Sequence, residues 1–212
     1  MKKCSLILAA MACLVLIGAR GAAAQGFTFN PYAGVLIADD GGLEDAVAGE
    51  DLTLSIDPAL IAGLRLGMAS RSNVGFEAGY GYSPLNIEIS EGGVSLDVDA
   101  TAHLYYAALV YTLTRTDAVS FFLSGGAGGI TISGDEDFFD GAENSSTDLM
   151  VNVGGGLLWQ ASDRFAVRLD AKDHIGFCSA SDDEDDFTMC PLDDKALNHI
   201  ELSGGITLQL GG

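Results

Sequence analysis

The stretch LIAGLRLGMASRSNVGFEAGYGY, residues 60–82, contains two runs in which apolar residues recur at every second position. The first apolar set extends from Leu60 to Met68, and the second extends from Val74 to Tyr82. Only residues 70–73 separate the two runs. Because side chains of a β-strand point alternately to opposite faces, this period of two predicts two strands joined by a tight turn. The stretch therefore predicts an antiparallel hairpin with one continuous apolar face.

The same alternation recurs along the rest of the chain. It is clear at 149–160, 165–175 and 199–210, and weaker at 27–37, 100–113 and 119–133. Together with the opening hairpin, these runs predict an all-β chain of eight strands. The run at 100–113 is apolar on both faces, so the pattern does not decide whether Tyr105 or Tyr106 faces inward.

The connections between these strands alternate between short and long. The short ones are 70–73, 114–118 and 162–164, and the long ones lie near 38–57, 84–99, 135–148 and 178–197. This rhythm predicts eight antiparallel strands with both termini on the side of the short turns. Of the 30 acidic residues, 24 fall in the four long segments, whose only base is Lys195, whereas each short turn carries one arginine. One end of the molecule is therefore predicted to be strongly negative.

The amino terminus, MKKCSLILAAMACLVLIGARGAAAQ, has the composition of a secretory signal peptide. Its apolar run is shorter than the about 20 residues that a membrane-spanning helix needs. We therefore expect residues 1–24 to be a cleaved signal peptide and residues 25–212 to form one β-barrel domain. Loss of Lys2, Lys3 and Arg20 would change the formal charge from -20 to -23, which argues against nucleic acid as a partner.

Taken together, the chain resembles the eight-stranded outer-membrane β-barrel family that includes the OmpA transmembrane domain, OmpX and the Opa proteins. The resemblance rests on the leader, the strand rhythm, the short turns, the long segments and the final amphipathic strand HIELSGGITLQL, residues 199–210. It implies an eight-stranded antiparallel up-and-down transmembrane β-barrel in the bacterial outer membrane. It also implies contact with membrane lipid and lipopolysaccharide and a non-enzymatic role in adhesion, protection or envelope integrity, with the surface partner undefined.

The polar faces of the predicted strands collect charged residues that an eight-stranded barrel would enclose. An interior of this size has room for little beyond its own side chains, so we expect structural filling rather than a pore. Arg65 and Glu77 are equidistant from Arg71, so we expect them to pair across the hairpin. The predicted lumen charge network consists of Arg65, Glu77, Arg168, Asp170, Lys172 and Glu201.

A hydrolytic site is an alternative for the last two strands, because His174, His199, Glu201 and Ser203 lie on them. A nucleophile and its base must be within hydrogen-bond reach of each other. These polar residues fall on the predicted inner face, away from a lipid substrate. We therefore expect no catalytic residue and no cofactor.

The loop CSASDDEDDFTMC, residues 178–190, combines two cysteines with a run of acids. Cys4 and Cys13 belong to the predicted leader, and export leads through an oxidising compartment, so we expect a disulfide between Cys178 and Cys190. No segment fits the calcium-loop pattern. We expect only diffuse binding of divalent cations at Asp182, Asp183, Glu184, Asp185 and Asp186.

Two further alternatives concern what the barrel does. A small porin-like barrel would serve transport or permeability. A secreted barrel of lipocalin type would hold an apolar ligand, with its apolar residues inside and its charges outside. The alternating pattern does not by itself say which face is inner, but the asymmetry between long and short connections favours the membrane form.

Overall fold

A computed structural model describes residues 26–38, 52–69, 73–91, 94–116, 118–134, 145–177 and 196–210. Nine β-strands lie in these ranges. They are β1 (Gly26–Ala38), β2 (Leu52–Ile56), β3 (Ala59–Ala69), β4 (Val74–Glu91), β5 (Val94–Arg115), β6 (Val119–Gly134), β7 (Ser145–Gln160), β8 (Phe165–Phe177) and β9 (Ala196–Leu210). In these ranges no helix has the length and apolar character to cross a membrane.

Eight of the strands, β1 and β3 to β9, close into an antiparallel barrel. Each pairs with its neighbour in sequence, and β1 pairs with β9 to complete the circle. The register links Leu208, Phe29, Leu66, Ala78, Ala107, Ala127, Val151, Ile175 and Asn198 in turn. The path therefore returns to β9 at Asn198, ten residues from its start at Leu208. A stagger of this size is typical of strands tilted by about 35–45° to the barrel axis. The predicted fold class is confirmed.

The outer wall of the barrel is apolar. Leu60, for example, is 74% exposed, and large aliphatic side chains follow the outward face of every barrel strand. Six aromatic side chains near the short-turn end form a belt: Phe27, Phe76, Tyr111, Phe121, Trp159 and Phe165. Such an arrangement is typical of a barrel in lipid, and it rules out the soluble lipocalin-type alternative.

A second group of rings lies on the outer wall toward the long segments. The Tyr80 hydroxyl is 2.8 Å from His103 Nδ1. The ring of Tyr82 lies 5.3 Å from the same imidazole, measured between ring centroids. On β5, Tyr105 is outward and Tyr106 is buried, which settles the register that the sequence left open.

One predicted connection was wrong: residues 84–99 are not a long loop. Strand β4 continues to Glu91 and β5 begins at Val94, so only two residues separate them. The short strand β2 pairs with the far part of β4, from Ile56 beside Ile87 to Leu52 beside Glu91. Alternation of apolar residues with acids in LNIEIS and VSLDVD explains the extension, because a period of two favours strand even where half the residues are charged.

Inward glycines of β7 make room for large side chains inside the barrel. A Cβ at Gly154 would lie 2.8 Å from Lys172 Cγ, and one at Gly156 would lie 2.7 Å from the Phe122 ring. On β4, Gly79 faces Tyr106 in the same way, with a hypothetical Cβ only 2.3 Å from the ring. Gly79, Gly154 and Gly156 thus leave room for the Tyr106, Lys172 and Phe122 side chains.

We predict that Gly79→Ala displaces Tyr106 and lowers the free energy of unfolding by about 1–3 kcal/mol, the usual cost of overpacking. Gly125→Ala is the control, because its Cβ would meet only Asn152 O at 3.9 Å, and it should be neutral or stabilising by less than about 1 kcal/mol. Urea titration of refolded barrel measures both. Equal unfolding midpoints for the two variants would contradict this packing.

Candidate functional site: the charged lumen

All six residues of the predicted lumen network are buried inside the barrel. They come from four strands: Arg65 from β3, Glu77 from β4, Glu201 from β9, and three successive inward positions of β8. Arg65, Lys172 and Glu201 are among the largest fully buried side chains of the described residues. Charges this deeply buried require partners at hydrogen-bond distance.

Arg65 is the centre of this network, since each of its five guanidinium N–H groups has an acceptor. Nε donates to the Tyr106 hydroxyl at 3.1 Å. Nη1 donates to Asn30 Oδ1 at 3.1 Å and to Asp170 Oδ2 at 2.9 Å. Nη2 donates to Glu201 Oε1 at 2.5 Å and to Ser203 Oγ at 2.7 Å.

Glu77 is the centre of a second cluster. Its carboxylate accepts from Arg168 Nη1 and, at 3.0 Å, from Lys172 Nζ. Arg168 also donates to Asp170 through Nη2 at 2.8 Å, which joins this cluster to that of Arg65. Lys172 Nζ lies 2.7 Å from the Tyr106 hydroxyl. Three cations and three carboxylates therefore form one connected group whose formal charges cancel.

The predicted pairing of Arg65 with Glu77 was wrong. In the register, Arg65 lies beside Gly79 and Glu77 lies beside Gly67. The hairpin is therefore centred on residue 72 rather than on Arg71, and moving the centre by one residue moves each partner by two. A shift of two keeps both side chains inward, so the face was predicted correctly while the partner was not.

The residues considered for hydrolysis do come together, but not as a triad. His174 Nε2 lies 3.1 Å from Glu201 Oε2. The Ser203 hydroxyl donates to Glu201 at 2.5 Å and accepts from Arg65, so in the described structure its partners are the acid and the guanidinium rather than an imidazole. His199 lies beside His174 in the register of β8 and β9. All four residues are buried, which leaves this serine no access to lipid.

An apolar layer closes the lumen above the charges, toward the long segments. Its side chains come from six of the barrel strands, β1 and β3 to β7, and are at most 9% exposed. They include Leu36, Ile61, Leu85, Leu104, Ile130, Ile132 and Met150. The interior therefore holds a layer of ion pairs and, nearer the long segments, a layer of apolar side chains.

Sequence reasoning missed the neutral residues that complete the network. The Asn30 and Tyr106 side chains hydrogen-bond Arg65, and the Tyr32 ring lies 3.7 Å from its guanidinium carbon. Asn30 is the only amide in the run FTFNPYAG, which was a signal for an inward partner. Tyr106 carried no such signal, because both faces of its strand are apolar in sequence.

Several predicted features lie outside the described residues. These are the signal peptide at 1–24, the disulfide between Cys178 and Cys190, and the acids 182–186. They stay predictions.

A closed barrel with an apolar wall, an aromatic belt and a charged interior defines a transmembrane protein of the bacterial outer membrane. The chain belongs to the outer membrane protein beta-barrel domain family, which matches residues 9–195. No curated protein sequence matches it. The solved Neisserial surface protein A is 10% identical, with 87% of this chain and 97% of that chain covered and a TM-score of 0.57. OprG from Pseudomonas aeruginosa is 11% identical, with 89% and 98% covered and a TM-score of 0.52.

We predict that Arg65→Met lowers the free energy of unfolding by about 3–5 kcal/mol, because it leaves Asp170 and Glu201 buried without their shared cation. Arg164→Met, on an exposed turn, should change it by no more than about 0.5 kcal/mol. Urea titration followed by the gel mobility of unheated samples measures both. Arg65→Lys, which keeps the charge but has fewer donors, should fall between them. Equal losses for Arg65→Met and Arg164→Met would refute the central role of Arg65.

Proposed function

We propose that this protein is a non-enzymatic outer-membrane barrel whose role is contact at the cell surface, with the barrel as a rigid base. The observation that carries the proposal is the strand extension of β4 and β5 beyond the rim. Pairing of β5 with β6 ends at Ala100 beside Gly134, whereas pairing of β4 with β5 continues to Glu91 beside Val94. The residues between the barrel parts of β4 and β5 thus form a projecting sheet rather than a short closing loop.

The projection is stiffened by a third strand. Because β2 lies along β4 from Ile87 to Glu91, three strands instead of two leave the barrel together. A two-stranded hairpin is marginally stable alone in water, and a third strand is what makes such a sheet persist. A persistent sheet presents its residues to a partner at lower entropic cost than a flexible loop does.

Charge indicates what this end of the molecule contacts. The long segments hold 24 of the 30 acids, and the projection itself carries Glu88, Glu91, Asp97 and Asp99. Lipopolysaccharide around the barrel is also anionic. Divalent cations are the simplest bridge between two anionic surfaces, so we propose weak, multivalent calcium or magnesium binding at the exterior.

The filled lumen supports a role other than transport. At the short-turn end a cavity of about 100 Å³ is lined by Glu77, Arg168 and Arg115, enough for only a few water molecules. From this cavity toward the long segments, the interior is filled first by the rest of the lumen charge network and then by the apolar layer. A porin-like function is the second candidate, and it would require both the charge network and the apolar layer to move out of the lumen.

The absence of enzymatic activity also belongs to the proposal. Its support is that Ser203 is held between Glu201 and Arg65 and is buried. A nucleophile needs both a base and access to substrate.

We predict that the purified protein gives no stable conductance in a planar bilayer, since side chains fill the lumen. A large porin reconstituted in the same lipid is the positive control. Reproducible ion-selective channels from the folded monomer would overturn the filled-lumen argument and favour the porin-like function.

We predict that calcium promotes binding of the protein, held in lipid nanodiscs, to immobilised lipopolysaccharide. Asp97→Asn with Asp99→Asn should lower the affinity about two- to fivefold, the scale of a few exposed ionic contacts. The effect should weaken as salt rises, because exposed charges are screened over about 8 Å at physiological ionic strength.

The matched control is Asp117→Asn with Asp163→Asn, which removes the same charge from two of the short turns that the sequence predicts, 114–118 and 162–164. Its affinity should equal that of the unchanged protein. Equal losses in both double variants would mean that net charge rather than the projection governs binding. A tight, stoichiometric and salt-insensitive calcium site in calorimetry would replace the diffuse picture altogether.

A further inference from the structure

One side of the outer wall, near the long segments, carries polar and aromatic residues. The register places three of them side by side on β4, β5 and β6, namely Tyr82, His103 and Thr131. The next outward row, one step toward the short turns, lies on the same three strands. We call the two rows together the polar patch, and it consists of Tyr80, Tyr82, His103, Tyr105, Gly129 and Thr131.

Contacts between neighbouring strands fix the side chains of the polar patch. The hydrogen bond between Tyr80 and His103 links β4 to β5. The Tyr105 hydroxyl reaches β6, where it lies 3.3 Å from Thr131 Oγ1. The Tyr105 ring lies against Gly129, since a Cβ there would come within 2.7 Å of the ring. A surface held in place in this way loses less side-chain entropy when it binds a partner.

The polar patch also has hydrogen-bonding groups that point outward. The Tyr80 and Tyr82 side chains are 45% and 41% exposed. Tyr80 contacts Nδ1 of His103, so Nε2 is the ring nitrogen that is left for another partner. The part of the chain that the structure describes offers the Tyr82 hydroxyl no hydrogen-bond partner. Such groups on an otherwise apolar wall favour a partner that is itself polar.

The polar patch is local and does not continue around the barrel as a belt. At the same end of the wall, β1, β3 and β9 present large aliphatic side chains, which are Val35, Ile37, Leu60, Ile200 and Leu202. The outward tyrosines of this end lie on β4 and β5 alone. Aromatic residues that only anchor a barrel at the membrane interface form a girdle on every side. A group confined to one side indicates a contact with one partner at that place.

The chemistry of the polar patch indicates a sugar as the partner. Its side chains offer aromatic rings, hydroxyls and an imidazole, but no lysine or arginine. A phosphate alone would therefore lack the cation with which it forms its strongest hydrogen bonds. A sugar fits better, because its C–H faces pack on aromatic rings and its hydroxyls exchange hydrogen bonds with phenol and imidazole groups.

The wall next to the polar patch, toward the short turns, is made of alanines. Ala78, Ala107 and Ala127 lie side by side on the same three strands and form the next outward row. These alanines define no site by themselves, since lipid tails cover any apolar wall of a barrel. They leave space for an acyl chain directly beside a sugar bound to the polar patch. A sugar that carries acyl chains would therefore contact both surfaces at once.

We propose that the polar patch binds the acylated disaccharide that anchors lipopolysaccharide in the membrane, with its sugar at Tyr82 and His103 and one acyl chain along the alanine row. The inference rests on the proposed contact with lipopolysaccharide and names the part of that molecule that the wall holds. No carboxylate belongs to the polar patch. Binding there therefore needs no divalent cation, unlike the contact proposed for the projection.

The test counts lipid molecules retained by the folded mature chain in native mass spectrometry, with lipid A as the probe and EDTA present throughout. We expect one retained lipid A per barrel. Tyr82→Leu with His103→Leu should weaken its binding about three- to tenfold, the effect of one or two lost hydrogen bonds. Tyr111→Leu is the control, because it removes an outward tyrosine from the belt at the short-turn end, and it should bind as the unchanged protein does.

Two alanine variants test the acyl chain without touching the polar patch. Ala107→Leu fills the alanine row and should lower the retained fraction of lipid A. Ala171→Leu is the matched control and should leave that fraction unchanged, because Ala171 is an equally exposed outward alanine on β8, three strands away. Both side chains point out of the barrel, so neither variant disturbs the packing of the lumen.

EDTA separates this inference from the calcium-dependent contact. Retention of lipid A in EDTA supports the polar patch even if calcium fails to promote binding at the projection. Three results would overturn the proposal. The first is an unchanged protein that retains no lipid A in EDTA, and the second is equal loss from the patch variants and their controls. The third is equal retention of phosphatidylglycerol with the same acyl chains, since the patch would then hold any lipid rather than a sugar.

Discussion

The burial of one guanidinium organises this barrel. Arg65 cannot lose its charge and has five donors, so a lumen that contains it must supply five acceptors and compensating carboxylates. The structure meets that demand from β1, β5, β8 and β9 at once. Removing either carboxylate would leave an excess buried cation, whereas the complete set is neutral. The identity of the inward residues on several strands thus follows from one side chain.

Two different kinds of filling then share the interior. The ion pairs occupy the part nearer the short turns, and aliphatic side chains occupy the part nearer the projection. Tyr106 joins the two parts, because its hydroxyl hydrogen-bonds the Arg65 guanidinium while its ring belongs to the apolar cluster. The chain carries a formal charge of -20, yet its buried network is neutral, so the excess acid is left to the surface. Filling and surface charge are in this way separate properties of the same barrel.

The number of barrel strands, their faces and their topology could be predicted from the sequence because a period of two is local information, whereas β2 was missed. The cross-strand partners were harder to predict, because a difference of one residue in a turn decides which positions pair, as with Arg65 and Glu77. The extension of β4 and β5 was missed because the acids of residues 84–99 suggested a loop, although Ile87, Ile89, Leu96 and Val98 alternate as in a strand.

The position of the network relative to the seam of the barrel bears on how the chain assembles. Strands β1 and β9 are the first and last of the barrel, and they meet only when the cylinder closes. Asn30 of β1 donates to Thr207 of β9 at 3.1 Å, and Arg65, next to β1 on β3, reaches Glu201, which is 136 residues later in the chain. Until that meeting, the Arg65 guanidinium lacks its β9 acceptors. The network therefore links the two sides of the seam. Closure of the barrel and neutralisation of Arg65 happen in one event, and opening the seam requires breaking the β1–β9 pairing and these ion pairs together.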